Sequence, residues 1–397
     1  MTVLVTNARS RIAYNITKSI GKKGIKVHTA DSTPLSMSFY SRYSKSHFIY
    51  PSPYSRQDQF IDCLIEKIKE QGTEVLLPVY EETYLISKFK DKLTPYVKMV
   101  LPDYSQILIA HNKDRWLPIA RRLSIPVPPT TDLSEIRKDP TLIDRLKFPL
   151  ILKPKQGGGG WGIRLLNHPE EIKELLCDKY HHELPLDRLF VQEKIDGPTI
   201  CVAILFRHGE PRAKVAYELL REYPIGAGQA TLRVTRRNEN AERYFTDLLR
   251  HLEWHGICQA DFVLDKGTGI PYLVDINPRF WGSVIQGIAS GVDFPYLAYQ
   301  IAVHGDVEPV HDFKSGVVTR WIGGDLRTFF PLLEKSHDKM RFVLDFFGAN
   351  RRRAFYDDLS LSDPVPFFCW LLEAFLRIVR DRSFSPEPHD SLTGVWK

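Results

Sequence analysis

Two β-like runs around a glycine turn constrain this chain more than any other feature. They are Gln259-Ala260-Asp261-Phe262-Val263-Leu264 and, after Lys266-Gly267-Thr268-Gly269, a strand ending in Asp275-Ile276-Asn277-Pro278-Arg279-Phe280-Trp281-Gly282. Alternation on both sides of such a turn predicts a β-hairpin. On a strand, Asp275 and Asn277 share one face while Ile276 points the other way into a core, so two oxygen donors stand on one surface. Folding the hairpin brings Asp261 beside Asp275. Mg²⁺ takes few protein carboxylates and completes its shell with water and substrate phosphates, so two acids and an amide suit a metal–nucleotide site. An acidic strand end capping a loop is the plainer alternative.

At 397 residues the chain exceeds one ordinary hydrophobic core, and ~150 residues per domain suggests two to three domains. Charged residues at 26% and hydrophobic residues at 43% exclude wholesale disorder and a polytopic membrane protein. The five cysteines, Cys63, Cys177, Cys201, Cys258 and Cys369, are scattered and form neither a CxxC nor a Cys/His metal spacing, which favours a reducing compartment. Met1 to Thr6 runs straight into a strand with no basic n-region or h-region, so a cytoplasmic protein is expected. The net charge of +6 suits an anionic ligand, but no nucleic-acid-binding signature accompanies it, and no nucleic-acid partner is expected.

Residues 1 to about 110 alternate strand and helix patterns: Val3 to Val5, about Ile12 to Lys22, Lys26 to Thr29, about Gln57 to Glu70, then Val75 to Leu77. This predicts a parallel sheet with helices on both faces. The first turn, Asn7-Ala8-Arg9-Ser10-Arg11, has no GxGxxG, so the unit is Rossmann-like without the dinucleotide fingerprint. A short helix from about Lys113 to Leu123 leads into Ile125-Pro126-Val127-Pro128-Pro129-Thr130, whose prolines force extended backbone and mark a junction. From about Phe148 to Val234, short strands with one interposed helix predict a separate α+β lobe, including a hairpin around His208-Gly209-Glu210. Further helices are expected near Glu239 to Leu252, Phe294 to Val303 and Met340 to Phe347.

The stretch Ile151-Leu152-Lys153-Pro154-Lys155-Gln156-Gly157-Gly158-Gly159-Gly160-Trp161-Gly162 joins strand lysines to a run of glycines. Without Cβ atoms in the way, its backbone N–H groups can approach an anion, and the lysines supply point charges for phosphate oxygens. It is no Walker A loop, because Ile163-Arg164 replaces Lys-Ser/Thr and a strand follows. A third element, Leu189-Phe190-Val191-Gln192-Glu193-Lys194-Ile195-Asp196-Gly197, is a strand ending in polar residues that can offer Gln192, Glu193 and the Ile195 backbone to an adenine edge. An ordinary exposed strand end would look the same.

In this order, the elements resemble the ATP-grasp superfamily over roughly residues 110 to 290, and within it the carboxylate-amine ligases and carbamoyl-phosphate-synthase-like enzymes. The resemblance implies an α/β plus α+β chain: a Rossmann-like preATP-grasp domain at 1–110, an ATP-grasp domain at 111–310 with its smaller lobe at about 125–195, and a helical extension at 311–397. By that resemblance Lys113 and Lys153 are the nucleotide-phosphate lysines and Gly157, Gly158, Gly159 and Gly160 belong to the mobile lid. Gln192, Glu193 and Ile195 lie in the adenine hinge, Asp261, Asp275 and Asn277 are Mg²⁺ ligands, and Arg279 stands near the transferred phosphate and acyl group. ATP with Mg²⁺, or Mn²⁺ in its place, is the implied cofactor pair. Two departures stand out: Gly197-Pro198-Thr199 replaces the usual ribose acid, leaving Asp196 as a local substitute, and Asp261 replaces the more common Glu.

The resemblance implies an ATP-dependent ligase that activates a carboxylate as an acyl phosphate and joins it to an amine. An ATP-grasp phosphotransferase and an ATP-binding scaffold are the alternatives. Arg221 and Glu218, in the region that faces substrate in relatives, are candidates for the acceptor side, with Arg221 able to pair with a carboxylate. The segment Pro364 to Asp381 is too short and too interrupted by Glu373 to span a membrane, so it reads as a packed amphipathic helix or as a peripheral membrane or protein contact. Small-molecule substrates and a homo-oligomer are expected.

Overall fold

The computed structural model describes residues 1–157, 162–177, 185–226, 228–348 and 354–381. Strands β1 (Thr2–Val5), β2 (Lys26–Asp31), β3 (Ser44–Ile49) and β4 (Val75–Leu77) form a sheet in the order β3-β2-β1-β4 with parallel pairing throughout. Side-chain alternation gives this sheet two apolar faces. Val3, Val5, Val27 and Val75 pack with Ile12, Ile16 and Ile20 of helix Arg11–Gly21, while Leu4, Ala30 and Leu76 pack with Phe60, Leu64 and Ile68 of helix Gln57–Gln71. Ser10 starts the first of these helices by accepting a hydrogen bond from Ala13 N–H, which satisfies one of the open donors of the first turn.

Strands β5 (Thr130–Asp132), β6 (Leu150–Pro154), β7 (Arg164–Leu166) and β8 (Leu189–Glu193) make an antiparallel sheet in the order β5-β8-β6-β7. It has its own core of Leu133, Ile136, Leu150, Leu152, Ile172, Leu189 and Val191. The large sheet contains β9 (Thr199–Arg207), β10 (Glu210–Tyr223), β11 (Gln229–Thr235), β12 (Gly256–Leu264), β13 (Pro271–Asn277), β14 (Val318–Arg320) and β15 (Phe355–Tyr356), in the order β13-β12-β9-β10-β11-β14-β15. Its apolar residues merge with one face of the parallel sheet into a single core that also takes in Phe245, Leu248 and Leu249 of helix Glu239–His251.

The separate lobe read from Phe148 to Val234 therefore divides. Its first strands close the small sheet, and the hairpin around Gly209, β9 with β10, forms the middle of the large sheet, because β9 also pairs with β12 far along the chain. Local strand patterns carry no information about that partner. Residues after 311 supply the helices Ile322–Lys335, Lys339–Gly348 and Val365–Asp381, and also the last two strands of the large sheet, β14 and the edge strand β15.

The C-terminal segment fastens the sheets together. Asp363 accepts from Ser41 Oγ at 2.5 Å and from the Arg42 N–H at 3.1 Å, while its carbonyl accepts from Tyr14 OH at 3.2 Å. Trp370 lies so close over Gly323 that a Cβ there would sit 2.3 Å from the ring. Helix Val365–Asp381 turns Phe368, Leu371, Leu372, Phe375 and Val379 to solvent. Among the described residues no helix is long and apolar enough to cross a membrane.

Candidate active site

The predicted hairpin forms as β12 and β13, and its register sets Asp261 opposite Asp275 and Gln259 opposite Asn277. A register shift between Asp261 and Phe262 interrupts the regular pairing beside the acids. The amides lock the ladder: Asn277 Nδ2 donates to Gln259 Oε1 at 2.9 Å, and Gln259 Nε2 donates to Asp261 Oδ1 at 2.7 Å. From β9, the Cys201 thiol donates to the same Asp261 oxygen at 2.7 Å. Burial, reinforced by the charge of Asp275, pushes the Asp261 carboxyl up to about 6.

Lys113 begins helix Lys113–Arg122, and its N–H donates to the Lys155 carbonyl at 2.9 Å, tying this helix to the small sheet. Its Nζ lies 2.8 Å from Asp275 Oδ1 and donates to the Gly157 carbonyl at 3.2 Å. Lys153, buried on β6, donates to Gln192 Oε1 at 2.9 Å, and Gln192 Nε2 donates to Thr130 Oγ1 at 3.0 Å. Burial, with Lys113 nearby, pulls the Lys153 ammonium down to about 8. Gln192 is thus turned toward the lysine, whereas Glu193 and Ile195 are half-buried beyond it in the segment leading to β9. Gly157 has a left-handed φ of 119°, as glycine readily allows. Gly158, Gly159 and Gly160 lie outside the described residues.

Arg279 donates through Nη2 to Asn277 Oδ1 at 3.0 Å, and its guanidinium stands 4.7 Å over the Tyr80 ring. Burial opposes its charge, but Tyr84, Tyr80 and Glu81 outweigh burial and raise its pKa. These three residues follow β4, so the parallel sheet reaches into the site.

Other predicted residues have partners of their own. Arg221 is held 3.0 Å from Asp325 and 4.1 Å over the Phe346 ring, and Glu218 pairs with Arg236 at 2.8 Å. Asp196 is exposed and faces Lys266 at 3.4 Å. Gly197 has a packing cause: a Cβ there would fall 1.7 Å from the Leu264 carbonyl oxygen, so the backbone contact leaves no room for an acid at that position.

Gln259, Cys201, Tyr80, Glu81 and Tyr84 were missed in the sequence. Gln259 was within reach, since it stands two positions before Asp261 and therefore on the same strand face. Glu222 is a further acid near the hairpin. Burial raises its pKa, and the charge of Asp261 adds to the effect. Among the described residues no cluster of three or more His, Cys, Asp and Glu side chains could hold a metal ion, so a cation at the hairpin would take the two carboxylates and the Asn277 amide. Two crowded, partly buried carboxylates fit a hard divalent cation, whose charge would offset the burial and the Asp275 repulsion that raise the Asp261 carboxyl.

Comparison with known proteins bears on the fold that carries this arrangement. Residues 111–283 match the ATP-grasp domain family. The carbamoyl phosphate synthase large chain of Clostridium acetobutylicum is 20% identical over 310 residues, covering 75% of this chain, and the match spans only 29% of that protein's length. The biotin carboxylase domain of 2-oxoglutarate carboxylase from Hydrogenobacter thermophilus, a dimer solved with MgADP, ADP and bicarbonate, superposes with a TM-score of 0.63 at 18% identity, covering 80% of this chain and 73% of that one. An L-amino acid ligase from Bacillus licheniformis superposes with a TM-score of 0.59 at 15% identity, covering 78% and 77%. This chain therefore has an ATP-grasp fold, with its ATP-grasp domain at residues 111–283 and a Rossmann-like parallel sheet before it.

Proposed function

We propose that the protein is an ATP-dependent ligase that converts a carboxylate to an acyl phosphate and joins it to an amine, releasing ADP and phosphate. The observation that carries this reading is the convergence of Lys113 from one segment and Asp261, Asp275 and Asn277 from another, with Arg279 immediately beside them. Lys153 and Gly157 approach from the small sheet, so phosphates can lie between two sets of charges. The similarity to an L-amino acid ligase and to a carbamoyl phosphate synthase supports a carboxylate acceptor.

In this reading Lys113 and Lys153 bind the phosphates, with Gln192 orienting Lys153. Bound through Asp261, Asp275 and Asn277, Mg²⁺, or Mn²⁺ in its place, supplies neutralisation of the phosphate charge. A carboxylate oxygen of the substrate attacks the γ-phosphorus as the bond to ADP breaks, and Arg279 faces the charge that develops on the transferred group. The amine nitrogen then attacks the acyl carbon and phosphate leaves. Closure of the glycine loop over the site would keep water from the acyl phosphate. Glu193, Ile195 and Asp196 are assigned to the nucleoside end.

The assignment extends to the layout of the chain: 1–110 as preATP-grasp domain, 111–310 as ATP-grasp domain and 311–397 as C-terminal extension. A cytoplasmic location, small-molecule substrates and a homo-oligomer complete it, the last supported by the dimer of the biotin carboxylase domain. The test is ADP and phosphate release from ATP across pools of carboxylates and amines. Release that requires one of each is the expected result, whereas a stable phosphorylated product would make the protein a phosphotransferase.

A further inference from the structure

Two of the three side chains proposed to hold the divalent cation already meet the protein's own cations. Lys113 Nζ is 2.8 Å from Asp275 Oδ1, and Arg279 Nη2 is 3.0 Å from Asn277 Oδ1, which is the only oxygen that amide has. Asp261 Oδ1, meanwhile, accepts from both Cys201 and Gln259. One ammonium and one guanidinium together bring two positive charges to the place where a divalent ion would bring two.

This is more than a crowded surface. Lys113 is buried, its N–H is fixed to the Lys155 carbonyl, and its Nζ is shared between Asp275 and the Gly157 carbonyl at the root of the glycine loop. The same ammonium therefore touches the metal hairpin and the start of the phosphate loop. An arriving polyphosphate competes for Lys113, and when the lysine moves to it, Asp275 loses its partner at the moment a cation arrives with the phosphates.

Resting on the nucleotide-site reading above, we propose that Lys113 is an internal counter-ion that keeps the Asp261–Asp275–Asn277 site closed to free divalent cations, so that metal is admitted only with nucleotide. Arg279 is coupled to the same event, because a divalent ion on the Asn277 oxygen repels the guanidinium that donates to that oxygen. The guanidinium then becomes available to the acceptor only after nucleotide and metal are both in place. Premature metal binding, with Arg279 turned loose on an empty site, is avoided.

The inference predicts an effect of opposite sign on the two ligands. Removing a unit charge a few ångströms from a divalent ion in a partly buried site should strengthen its binding by at least about tenfold. Lys113→Met should therefore bind Mn²⁺ about tenfold more tightly than the native protein when no nucleotide is present, while binding ADP more weakly. Mn²⁺ binding is read by electron paramagnetic resonance of the free ion, and ADP binding by calorimetry, so neither measurement needs turnover. Lys113→Arg, which keeps the charge, should leave nucleotide-free Mn²⁺ binding weak, and the Asp275→Asn/Lys113→Met double variant should abolish the gain.

Nucleotide-free Mn²⁺ affinity in Lys113→Met equal to or below that of the native protein overturns the proposal. Should Lys113→Met not fold, Lys113→Gln is measured by the same titration with the same expected sign. As an independent measurement, ADP should raise Mn²⁺ affinity of the native protein by at least tenfold, and equal affinity with and without ADP overturns the proposal. Failure of the native protein to bind ADP at all would instead remove the ATP-grasp ligase reading, so the two failures are distinguishable.

Discussion

The Arg233 guanidinium and the Asp357 carboxylate form an ion pair inside the protein, joining β11 to the segment that follows β15. Arg233 also donates to Ser283 Oγ at 2.8 Å and to Thr319 Oγ1 at 2.9 Å, while Asp357 lies 3.2 Å from Arg11 Nε at the start of the first helix. One carboxylate thus serves two arginines from distant parts of the chain. Asp357→Ala leaves a fully buried guanidinium uncompensated and should cost about 3–5 kcal/mol of stability. Urea unfolding measures it, and a loss below about 1 kcal/mol would show that the pair is not structural.

Asp275→Ala and Lys153→Ala should each abolish turnover with the fold retained, because both groups are assigned charge-specific roles at the phosphates. A loss of about 10²-fold or more in kcat is the scale for removing a group that stabilises developing charge. Unchanged circular dichroism with unchanged turnover in either variant would remove the proposed site.

His255 gives a pH dependence remote from that site. Its ring stacks on His208 with centroids 4.1 Å apart, and burial, with the neighbouring charge of His208, pulls its pKa down to about 4. The unfolded chain takes up this proton near 6.5 and the folded one only near 4, so stability is full above 6.5 and falls as pH drops through that window. From pH 7 to pH 5 this single group should remove roughly 1–2 kcal/mol. In His255→Gln the stability difference between these pH values should shrink by that amount in paired urea titrations, and an unaltered difference would assign the acid sensitivity elsewhere.

Gly197→Ala tests the close approach of the hinge to β12. With its Cβ directed into the Leu264 carbonyl, the variant should lose about 1–3 kcal/mol or shift the hinge backbone. Native thermal stability together with native ADP affinity would contradict the packing explanation for the missing acid.

Period and turn chemistry made much of the scaffold readable. The Val3 to Val5 and Val75 to Leu77 runs marked the parallel sheet, and the Lys266 to Gly269 turn delivered the Asp261–Asp275 pair. The family resemblance singled out Lys113 and Lys153, and the fold sets the first beside Asp275 and the second beside Gln192. What could not be read depends on partners brought together only by the folded sheet. β14 and β15 have three and two residues, too few for periodicity, and acquire strand geometry by pairing at the sheet edge. Arg221 had a suitable charge for an acceptor, but its pairing with Asp325 depends on a helix that follows β14. Gln192, read as an adenine contact, also accepts from Lys153, a partner that its own strand could not reveal.

The distribution of hydrophobic cores also sets how the molecule can deform. One apolar mass runs through the parallel and large sheets, and β5 to β8 keep a small core to themselves. Mechanically this is a heavy frame carrying a light jaw. The acid pair and Arg279 are mounted on the frame, and Lys153 is mounted on the jaw. Swinging the jaw thus changes the gap across which phosphates would be gripped while the spacing of Asp261 and Asp275 stays constant, separating the tuning of grip from the tuning of chemistry.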